Sequence, residues 1–426
     1  MMYFIQFNEA NFEIIKKYIK KYPNKFNHLE ELFNKCTFLE TSSEDEYSLL
    51  EPWIQWPSIY TGKKAKDHNI FRLGDVEKKN LNNLFNVLDD KGITSGFICP
   101  MNLNNNFKNC SYFIPDPWTK TKITGNFFLK SLYKIISFTV NNNSNGKIGF
   151  KNFFLFLISL VFFSKIRYWK SYIFLAYKAI FLKKKWYRAL FLDLFIHNLN
   201  IYLSKKHQNK ISIVFFNSLA HIQHHYFLNS SLVSSSNKNP NWYIRAEDDP
   251  IHDALELFDS IFEFYLKSNE KIFIATALSQ VPSDKPVFYY RLKDHKNFLK
   301  IFNIYPSEVL PRMTRDFTLN FNDKSDCLNT EKSLLEIKIN GKNLFQVDNR
   351  ELSLFVTLIY PEEILLNDVV YNDSINKNAL DHISFVAIKN GIHYQKGYLF
   401  SNIHNITNKK IIDICDIKYL FLESIS

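Results

Sequence analysis

The stretch ISIVFFNSLAHIQHHY (residues 211–226) joins a short, mostly apolar run to a polar segment that contains three histidines. A run of β-branched and aromatic residues such as 211–216 predicts a strand. The following residues, from 218 onwards, have a pattern compatible with a helix. Strands that feed directly into helices are the units of parallel sheets, so this stretch indicates an α/β fold.

The same alternation continues along most of the chain. Strands are predicted at residues 3–7, 94–99, 211–216, 271–276, 354–359 and 383–388. Helices are predicted at residues 10–21, 28–35, 78–90, 127–138, 151–205 in pieces, 250–268 and 295–302. We therefore predict an α/β fold with a central, largely parallel β-sheet flanked by helices. Residues 1–426 are expected to form one domain, with a basic, aromatic-rich helical insertion at 126–206 and C-terminal strands at 320–426 that complete the sheet.

Composition bounds the class of protein but does not name a function. The chain has 426 residues, 46% of them apolar, which is enough for a sizeable core and excludes a disordered protein. Its 53 Lys and Arg against 42 Asp and Glu give a formal charge of +11. Phe is frequent (41) and Gly scarce (10), a bias typical of AT-rich codons that also contributes lysines. The five cysteines are widely spaced, which favours reduced thiols and a cytoplasmic protein.

The N-terminus shows no signal-peptide pattern, and no apolar run is long enough to span a membrane. The longest run, residues 153–163, is well short of the ~20 residues that a bilayer requires. Basic residues follow it up to residue 188. Two interpretations stay open for 153–188: peripheral contact with an anionic membrane, or a helical hairpin packed on the domain with its lysines in water. No groove-reading motif accompanies the charge, so no nucleic-acid partner is expected.

Polar residues follow four of the predicted strands. Because α/β sheets hold their chemistry at the carboxyl ends of strands, these residues are the candidates for a site. They are Asn8 and Glu9 after the strand 3–7, residues 217–226 after the strand 211–216, Ser279 and Gln280 after the strand 271–276, and Asn390 to His393 after the last strand.

The densest signal is the group His221, His224 and His225. In a helix, spacings of three and four residues place His221 beside the other two, as metal-binding pairs require. The alternative is a polar helix start with partly exposed histidines. A second signal is EPWIQWPSIYTG (residues 51–62), which predicts a rigid loop followed by a helix ending at Gly62.

In order and context, these motifs resemble the alkaline phosphatase superfamily, nearest to its type I phosphodiesterase/nucleotide pyrophosphatase and sulfatase-like branch. The resemblance spans residues 3–400. It is carried by Asn8-Glu9, PSIYTGKKAKDHNI (57–70), AHIQHHYF (220–227), IATALSQ (274–280) and KNGIHYQKGYLF (389–400). It implies metal ligands at His224 and His393.

The match departs from the family where its chemistry is usually found. The nucleophile position falls on Pro52, which has no hydroxyl group, and the first-strand Asp is replaced by Asn8. Ala220 stands where an Asp ligand is expected, and a slipped register pairs His221 with His225 instead. The family's Asp-His pair is replaced by residues 278–280.

The resemblance therefore implies at most one divalent cation, with zinc preferred, or none. Our function hypothesis is a divergent hydrolase or transferase of a phosphate or sulfate ester, carried by a glycoconjugate or a nucleotide-like group. In it, Glu9 or Glu51 is a base or replacement ligand, and Ser279 or Gln280 donates to the substrate anion. The alternative is a non-catalytic member that binds an anionic glycan, a lipid headgroup or a protein.

Overall fold

The computed structural model describes residues 1–79, 81–141, 150–234, 238–312, 315–403 and 406–425. The chain divides into two compact units. The first contains Met1–Thr139, Ile148–Ser283 and Gly391–Ser426, and the second contains Asp284–Asn390. The sequence predicts a single domain over residues 1–426.

Strands and helices alternate through the first unit, whereas strands predominate in the second. The strands are β1 (Met2–Phe7), β2 (Thr37–Ser42), β3 (Ser95–Ile98), β4 (Cys110–Ile114), β5 (Ile211–Phe216), β6 (Lys271–Ala275), β7 (Ser279–Leu292), β8 (Glu308–Pro311), β9 (Asp316–Asn320), β10 (Lys338–Ile339), β11 (Lys342–Asn343), β12 (Phe345–Asn349), β13 (Ser353–Leu358), β14 (Val369–Tyr371), β15 (Asn376–Asn378), β16 (Ile383–Tyr394), β17 (Lys396–Ser401) and β18 (Ile411–Asp413). The helices are α1 (Phe12–Lys21), α2 (Asn27–Lys35), α3 (Pro52–Thr61), α4 (Ala65–His68), α5 (Leu84–Asp90), α6 (Phe127–Asn141), α7 (Phe150–Phe163), α8 (Trp169–Ile180), α9 (Tyr187–His207), α10 (Ser218–Tyr226), α11 (Pro250–Leu266), α12 (His295–Ile301), α13 (Lys324–Glu336), α14 (Ala379–His382) and α15 (Asp416–Glu423).

The first unit is built on an eight-stranded sheet with the order β18-β2-β17-β6-β1-β5-β3-β4. All neighbouring pairs are parallel except the two that involve β17. Every residue of β1 and β5 is buried, as expected for central strands of a parallel sheet covered on both faces. The predicted fold class, an α/β fold with a central, largely parallel sheet, is confirmed.

Most predicted elements lie within a few residues of the observed ones, and the largest shifts, of six residues each, are at the start of α5 and the end of β16. The helix predicted at 78–90 begins at Leu84, because the side chains and backbones of Asn83 and Asn86 form a reciprocal capping box. The last predicted strand, 383–388, continues through residues 390–393 to Tyr394. Residues 141–146, whose Asn-rich sequence NNNSNG predicts a loop, lie almost wholly outside the described residues.

The second unit contains two antiparallel four-stranded sheets, β11-β10-β14-β15 and β12-β13-β9-β8. These sheets bury their own apolar cluster, which includes Phe317, Leu319, Phe345, Leu354 and Val356. The sequence predicts that strands within 320–426 complete the central sheet. Only β17 and β18, among the described strands of that segment, belong to this sheet. The other strands of the segment form separate sheets, and their antiparallel pairing needs no crossover helix.

The segment predicted as a helical insertion, 126–206, contains α6 to α9. The last of these, α9, is buried on most of its circumference, and Asn200 accepts a hydrogen bond from Ser212 of β5 at 2.8 Å. Within the described residues, no helix is both long and apolar enough to cross a membrane.

Candidate metal centre

The carboxyl end of β1 places Glu9 at the centre of the site. Glu9 follows the strand with a φ of 53°, in the left-handed region, and its amide donates to the carbonyl of Thr276 at 3.1 Å. The carbonyl of Glu9 accepts from Gln223 Nε2 at 2.7 Å. These contacts turn the chain away from the sheet and hold the Glu9 side chain in the protein interior, where it is 2% exposed.

Helix α10, which follows the neighbouring strand β5, supplies His224. At the start of α10, the backbone amides of Asn217 and Ser218 both donate to one carboxylate oxygen of Asp193, at 3.1 and 2.8 Å. Asp193 thus caps α10 from another helix, α9, a contact that local sequence does not reveal. Burial raises the pKa of this carboxyl to about 7, and the donated hydrogen bonds limit the shift.

His393, near the end of β16, completes a group of three side chains. Glu9 Oε2 lies 3.1 Å from His224 Nε2 and 3.0 Å from His393 Nε2. The two Nε2 atoms are 3.3 Å apart. One carboxylate oxygen and two imidazole nitrogens therefore meet at one point, which we call the Glu9 cluster (Glu9, His224 and His393).

Electrostatics in the Glu9 cluster favour the ionised carboxylate. Burial acts to raise the pKa of Glu9, but the charges of His393 and His224 and their hydrogen bonds hold it well below its usual range. Asn8 Nδ2 donates to the other oxygen, Oε1, at 2.8 Å, and Trp56 in turn donates to Asn8 Oδ1 at 2.9 Å. An acceptor-only carboxylate thus faces the two imidazoles.

A surrounding layer of groups orients the three side chains. Gln280 Nε2 donates to Glu9 Oε2 at 2.5 Å and to the carbonyl of Ala220 at 3.0 Å. His224 Nδ1 lies 3.2 Å from the carbonyl of Gly391, which fixes the proton on Nδ1 and leaves the Nε2 lone pair facing the cluster. Glu51 Oε2 is 3.6 Å from His393 Nδ1, on the side of the ring away from the cluster.

Gly391 is required at its position because the chain approaches others closely there. A Cβ atom would lie 2.4 Å from the carbonyl oxygen of Gln223 and 2.5 Å from Gln280 Oε1. These contacts are shorter than any real Cβ contact, and both partners belong to groups that hold the cluster. Gly391 thus allows β16 to bring His393 against α10 and β7.

The Glu9 cluster fits a single divalent cation. A tetrahedral zinc ion with bonds of about 2.0–2.1 Å places its ligand atoms roughly 3.3 Å apart. The three observed separations, 3.0 to 3.3 Å, are close to that value. Two histidines and one glutamate are also the donor set of catalytic zinc sites that keep one position open. A second group on α11, His252, Asp253 and Glu256, is explained by protein contacts, because Asp253 accepts from Trp186 and Glu256 pairs with Lys25.

The structure does not bring His221 or His225 into the Glu9 cluster. Their rings pair with each other, with centroids 4.8 Å apart, because residues four apart share a helix face. His224 lies on the face turned towards β1 and β16. His221 is exposed to solvent.

Ser279 and Gln280 do not reach solvent as donors to a substrate. Ser279 is fully buried, and its Oγ has no hydrogen-bond partner among the described residues. Both amide hydrogens of Gln280 are used by Glu9 and Ala220, so this residue supports the cluster instead.

The segment that resembles the family's nucleophile helix is α3, which begins at Pro52. Its hydroxyl groups have structural partners: Thr61 donates to the carbonyl of Pro57 at 2.7 Å, and Ser58 donates to the carbonyl of Ile54 at 3.2 Å. His68 Nε2 lies 3.0 Å from Ser58 Oγ. The serine, threonine and histidine of this segment are therefore buried packing groups.

Sequence reasoning missed Gln223 and Asp193, which hold Glu9 and α10. Gln223 lies within the histidine segment 217–226, but no role was predicted for it. The sequence does contain a pattern that could have identified Asp193. It is the first acidic residue after Asp116 and lies in a largely apolar stretch. An isolated acid in such a helix is buried only with partners.

The chain is similar to several solved structures over nearly the full length of each, at low sequence identity. Phosphonoacetate hydrolase from Sinorhizobium meliloti 1021 matches with 10% identity and a TM-score of 0.46 over 100% of this chain and 95% of that chain. Murine ectonucleotide pyrophosphatase/phosphodiesterase 5 matches with 10% identity and a TM-score of 0.43, over 100% and 94%. Alkaline phosphatase from the Antarctic bacterium TAB5 matches with 10% identity and a TM-score of 0.39, over 100% and 97%.

No protein-family model and no curated protein sequence matches the chain. Because the identities are near 10% and the TM-scores are below 0.5, function has to be inferred from the residues of this chain.

Proposed function

We propose that this protein is a hydrolase or transferase of phosphate or sulfate esters that uses one divalent cation, with zinc preferred, held by Glu9, His224 and His393. The observation that carries the proposal is the convergence of three ligand atoms within 3.0 to 3.3 Å of one another. When bound, the cation supplies Lewis-acid polarisation of an ester oxygen and makes a bound water more acidic.

The residues around the cluster have distinct roles in this proposal. Glu9 provides the negative charge that offsets part of the cation's charge, and Gln280 fixes the orientation of its carboxylate. Glu51 orients the ring of His393 through Nδ1, as carboxylates do for metal-binding histidines. This position favours an orienting role for Glu51 over that of a ligand.

Access to the cluster is from the side of His224. Its side chain is 21% exposed, whereas those of His393 and Glu9 are 6% and 3% exposed. An anionic ester, of a glycan or a nucleotide-like group, therefore approaches the open position past His224. Because Pro52 offers no hydroxyl group, water or the acceptor substrate attacks directly, without a covalent enzyme intermediate.

The test is turnover by the zinc-loaded protein of aryl phosphomonoesters, phosphodiesters and sulfate esters. We expect turnover of at least one class, its loss in Glu9→Gln and His393→Ala, and its retention in His221→Ala, which alters an exposed histidine on the same helix. Glu51→Gln should lower kcat about 10- to 100-fold with zinc retained. Turnover that is unchanged in Glu9→Gln and His393→Ala contradicts the proposal.

A second candidate is a non-catalytic protein that binds an anionic ligand at the same cation, and Pro52 at the nucleophile position favours it. It predicts saturable binding of inorganic phosphate to the zinc-loaded protein, lost in His393→Ala, together with no turnover of any of the three ester classes. That pattern replaces the hydrolase proposal with a binding function.

A further inference from the structure

We infer that α7, α8 and the turn between them form a docking surface for an anionic lipid bilayer. The inference concerns a part of the first unit that supplies no residue to the Glu9 cluster, and it does not depend on the proposed function. Three observations carry it: the charge of the segment, the exposed apolar faces of the two helices, and a cleft beside their junction whose cations form no ion pair with a described carboxylate.

The excess positive charge of the chain lies in one segment. Residues 117–192 contain fourteen Lys and Arg and no Asp or Glu, a net charge of +14 against +11 for the whole chain. The remainder of the chain is therefore slightly negative. A stretch of 76 residues without a carboxylate gives its surface one sign of charge, which attracts anionic surfaces.

Helix α7 has an apolar face that stays exposed among the described residues. Its exposed residues recur with helical spacing, and they are Phe154, Leu157, Ile158, Val161 and Phe162. The opposite face packs inward, where the ring of Phe156 contacts Phe195 of α9 at a centroid distance of 5.3 Å. A helix that is apolar on both faces, with one of them in water, is typical of a contact surface.

Helix α8 repeats this arrangement. Ile173, Tyr177, Ile180 and Phe181 follow one another at intervals of four, three and one, and each is about half exposed or more. The other face buries Tyr172, Leu175 and Ala179 against the unit. Between the two helices, Ile166 is 88% exposed and is flanked by Lys165 and Arg167.

Beside this junction lies a cleft of about 680 Å³ that gathers cations. Lys165, Arg167 and Lys205 surround the ring of Phe264 at 5.1, 5.9 and 5.8 Å, and none of them forms an ion pair with a described carboxylate. The two lining glutamates have other partners: Glu263 pairs with Lys267 at 2.8 Å, and Glu270 with the amino terminus at 2.7 Å.

The crowding of like charges in this cleft indicates an anionic ligand. Burial lowers the pKa of Lys165, and the nearby Lys205 and Arg167 lower it further. A lipid phosphate placed among these three cations would neutralise them, while Ile166 and the apolar faces of α7 and α8 enter the bilayer interface.

The charge of the segment favours an anionic bilayer over a second copy of the chain as the partner of this apolar surface. A second copy of the chain would bring one +14 segment against another, which like-charge repulsion opposes. Helices α7 and α8 have 14 and 12 residues, fewer than the ~20 that span a bilayer, so they would lie in the interface.

The test is flotation of the full-length protein with vesicles of phosphatidylcholine alone and of phosphatidylcholine with phosphatidylglycerol. We expect binding only to the anionic vesicles, weakening as salt is raised. The triple variant Lys165→Glu, Arg167→Glu, Lys170→Glu should bind at least about 100-fold more weakly, since each cation lost costs about fivefold. The variants Ile173→Ser and Phe181→Ser should each bind about tenfold more weakly.

Matched controls alter exposed residues elsewhere. Lys17→Glu, Lys20→Glu and Lys66→Glu together make the same charge change, and Leu366→Ser removes another exposed apolar side chain; both should bind like the unaltered protein. No binding, equal binding to both vesicles, or equal weakening by the control triple overturns the inference. So does a stable dimer in solution that Ile173→Ser and Phe181→Ser dissociate. Should a variant fail to fold, the salt dependence of the unaltered protein still decides between the outcomes.

Discussion

The Nε2 atoms of His224 and His393 lie 3.3 Å apart, although 168 residues separate them in the chain. Both face the same oxygen of a buried glutamate, Glu9. Two nitrogen lone pairs directed at each other and at a carboxylate repel unless a proton or a cation lies between them. The groups that orient Glu9, His224 and His393 are therefore needed to hold these three side chains together.

The amide of Gln280 should tune the affinity for zinc. Gln280→Met removes the hydrogen bond to Glu9 Oε2, so the carboxylate loses its fixed orientation. We expect zinc affinity to fall about 10- to 100-fold, the usual effect of removing a group that orients a ligand. Competition with a chromophoric chelator measures this.

Gln6→Met is the matched control for that experiment. Gln6 is also fully buried, and its amide donates to Tyr60 at 2.9 Å, away from the cluster. Its replacement should leave zinc affinity unchanged at a similar cost in stability. Equal affinities in the two variants would show that Gln280 does not orient Glu9.

Gly391→Ala should destabilise the first unit. The new Cβ would meet the carbonyl oxygen of Gln223 at 2.4 Å, and β16 must move to relieve the contact. We expect a loss of about 2–3 kcal/mol in the free energy of unfolding, typical of overpacking, measured by urea denaturation. Gly92→Ala is the comparison. A Cβ at Gly92 would contact nothing within 4 Å, so the substitution adds only the strain of a φ of +71° and should cost about 1 kcal/mol. A cost for Gly391→Ala no larger than that for Gly92→Ala would contradict the packing described here.

Stability should fall as pH decreases from about 6.5 to 4, with His68 contributing. Burial lowers the pKa of His68 to about 4, with a smaller contribution from the charge of Lys79. In the folded protein, Nδ1 accepts a hydrogen bond from the Ile70 amide at 2.9 Å. The unfolded chain therefore binds a proton that the folded protein excludes over this interval. The linked loss approaches about 3 kcal/mol at the acid end.

His68→Asn isolates this contribution. Asn keeps an acceptor for the Ile70 amide but does not titrate, so the variant should lose less stability between pH 7 and pH 5 than the unaltered protein. Chemical denaturation at the two pH values provides the measurement. An identical loss in both proteins would assign the pH dependence to other groups.

The sequence was most informative where structure is local. The strand 211–216 was predicted with its observed bounds, because six buried residues of β5 leave a continuous apolar pattern. The Glu9–His224–His393 grouping was one of the ligand sets considered from the sequence. Glu9 and His224 do follow the neighbouring strands β1 and β5, whereas His393 lies within β16, which pairs with β7 outside the main sheet.

What could not be predicted depends on tertiary contacts. Whether His221 or His224 faces the sheet is decided by the rotation of α10, and Asp193 of α9 caps that helix from a distance. The hydrogen bond from Gln280 to Glu9 likewise depends on how close β1 and β7 lie in the folded protein, which the sequence does not show. The second unit was missed because short antiparallel strands have the same local pattern as strands of the main sheet.

The most direct test of the metal centre is equilibrium dialysis of zinc against the unaltered protein, Glu9→Gln and His221→Ala. The account predicts one bound zinc in the unaltered protein and in His221→Ala, and an affinity at least about 100-fold lower in Glu9→Gln, since removing a ligand costs no less than removing a group that orients one. Zinc bound equally by Glu9→Gln, or lost in His221→Ala, would contradict it.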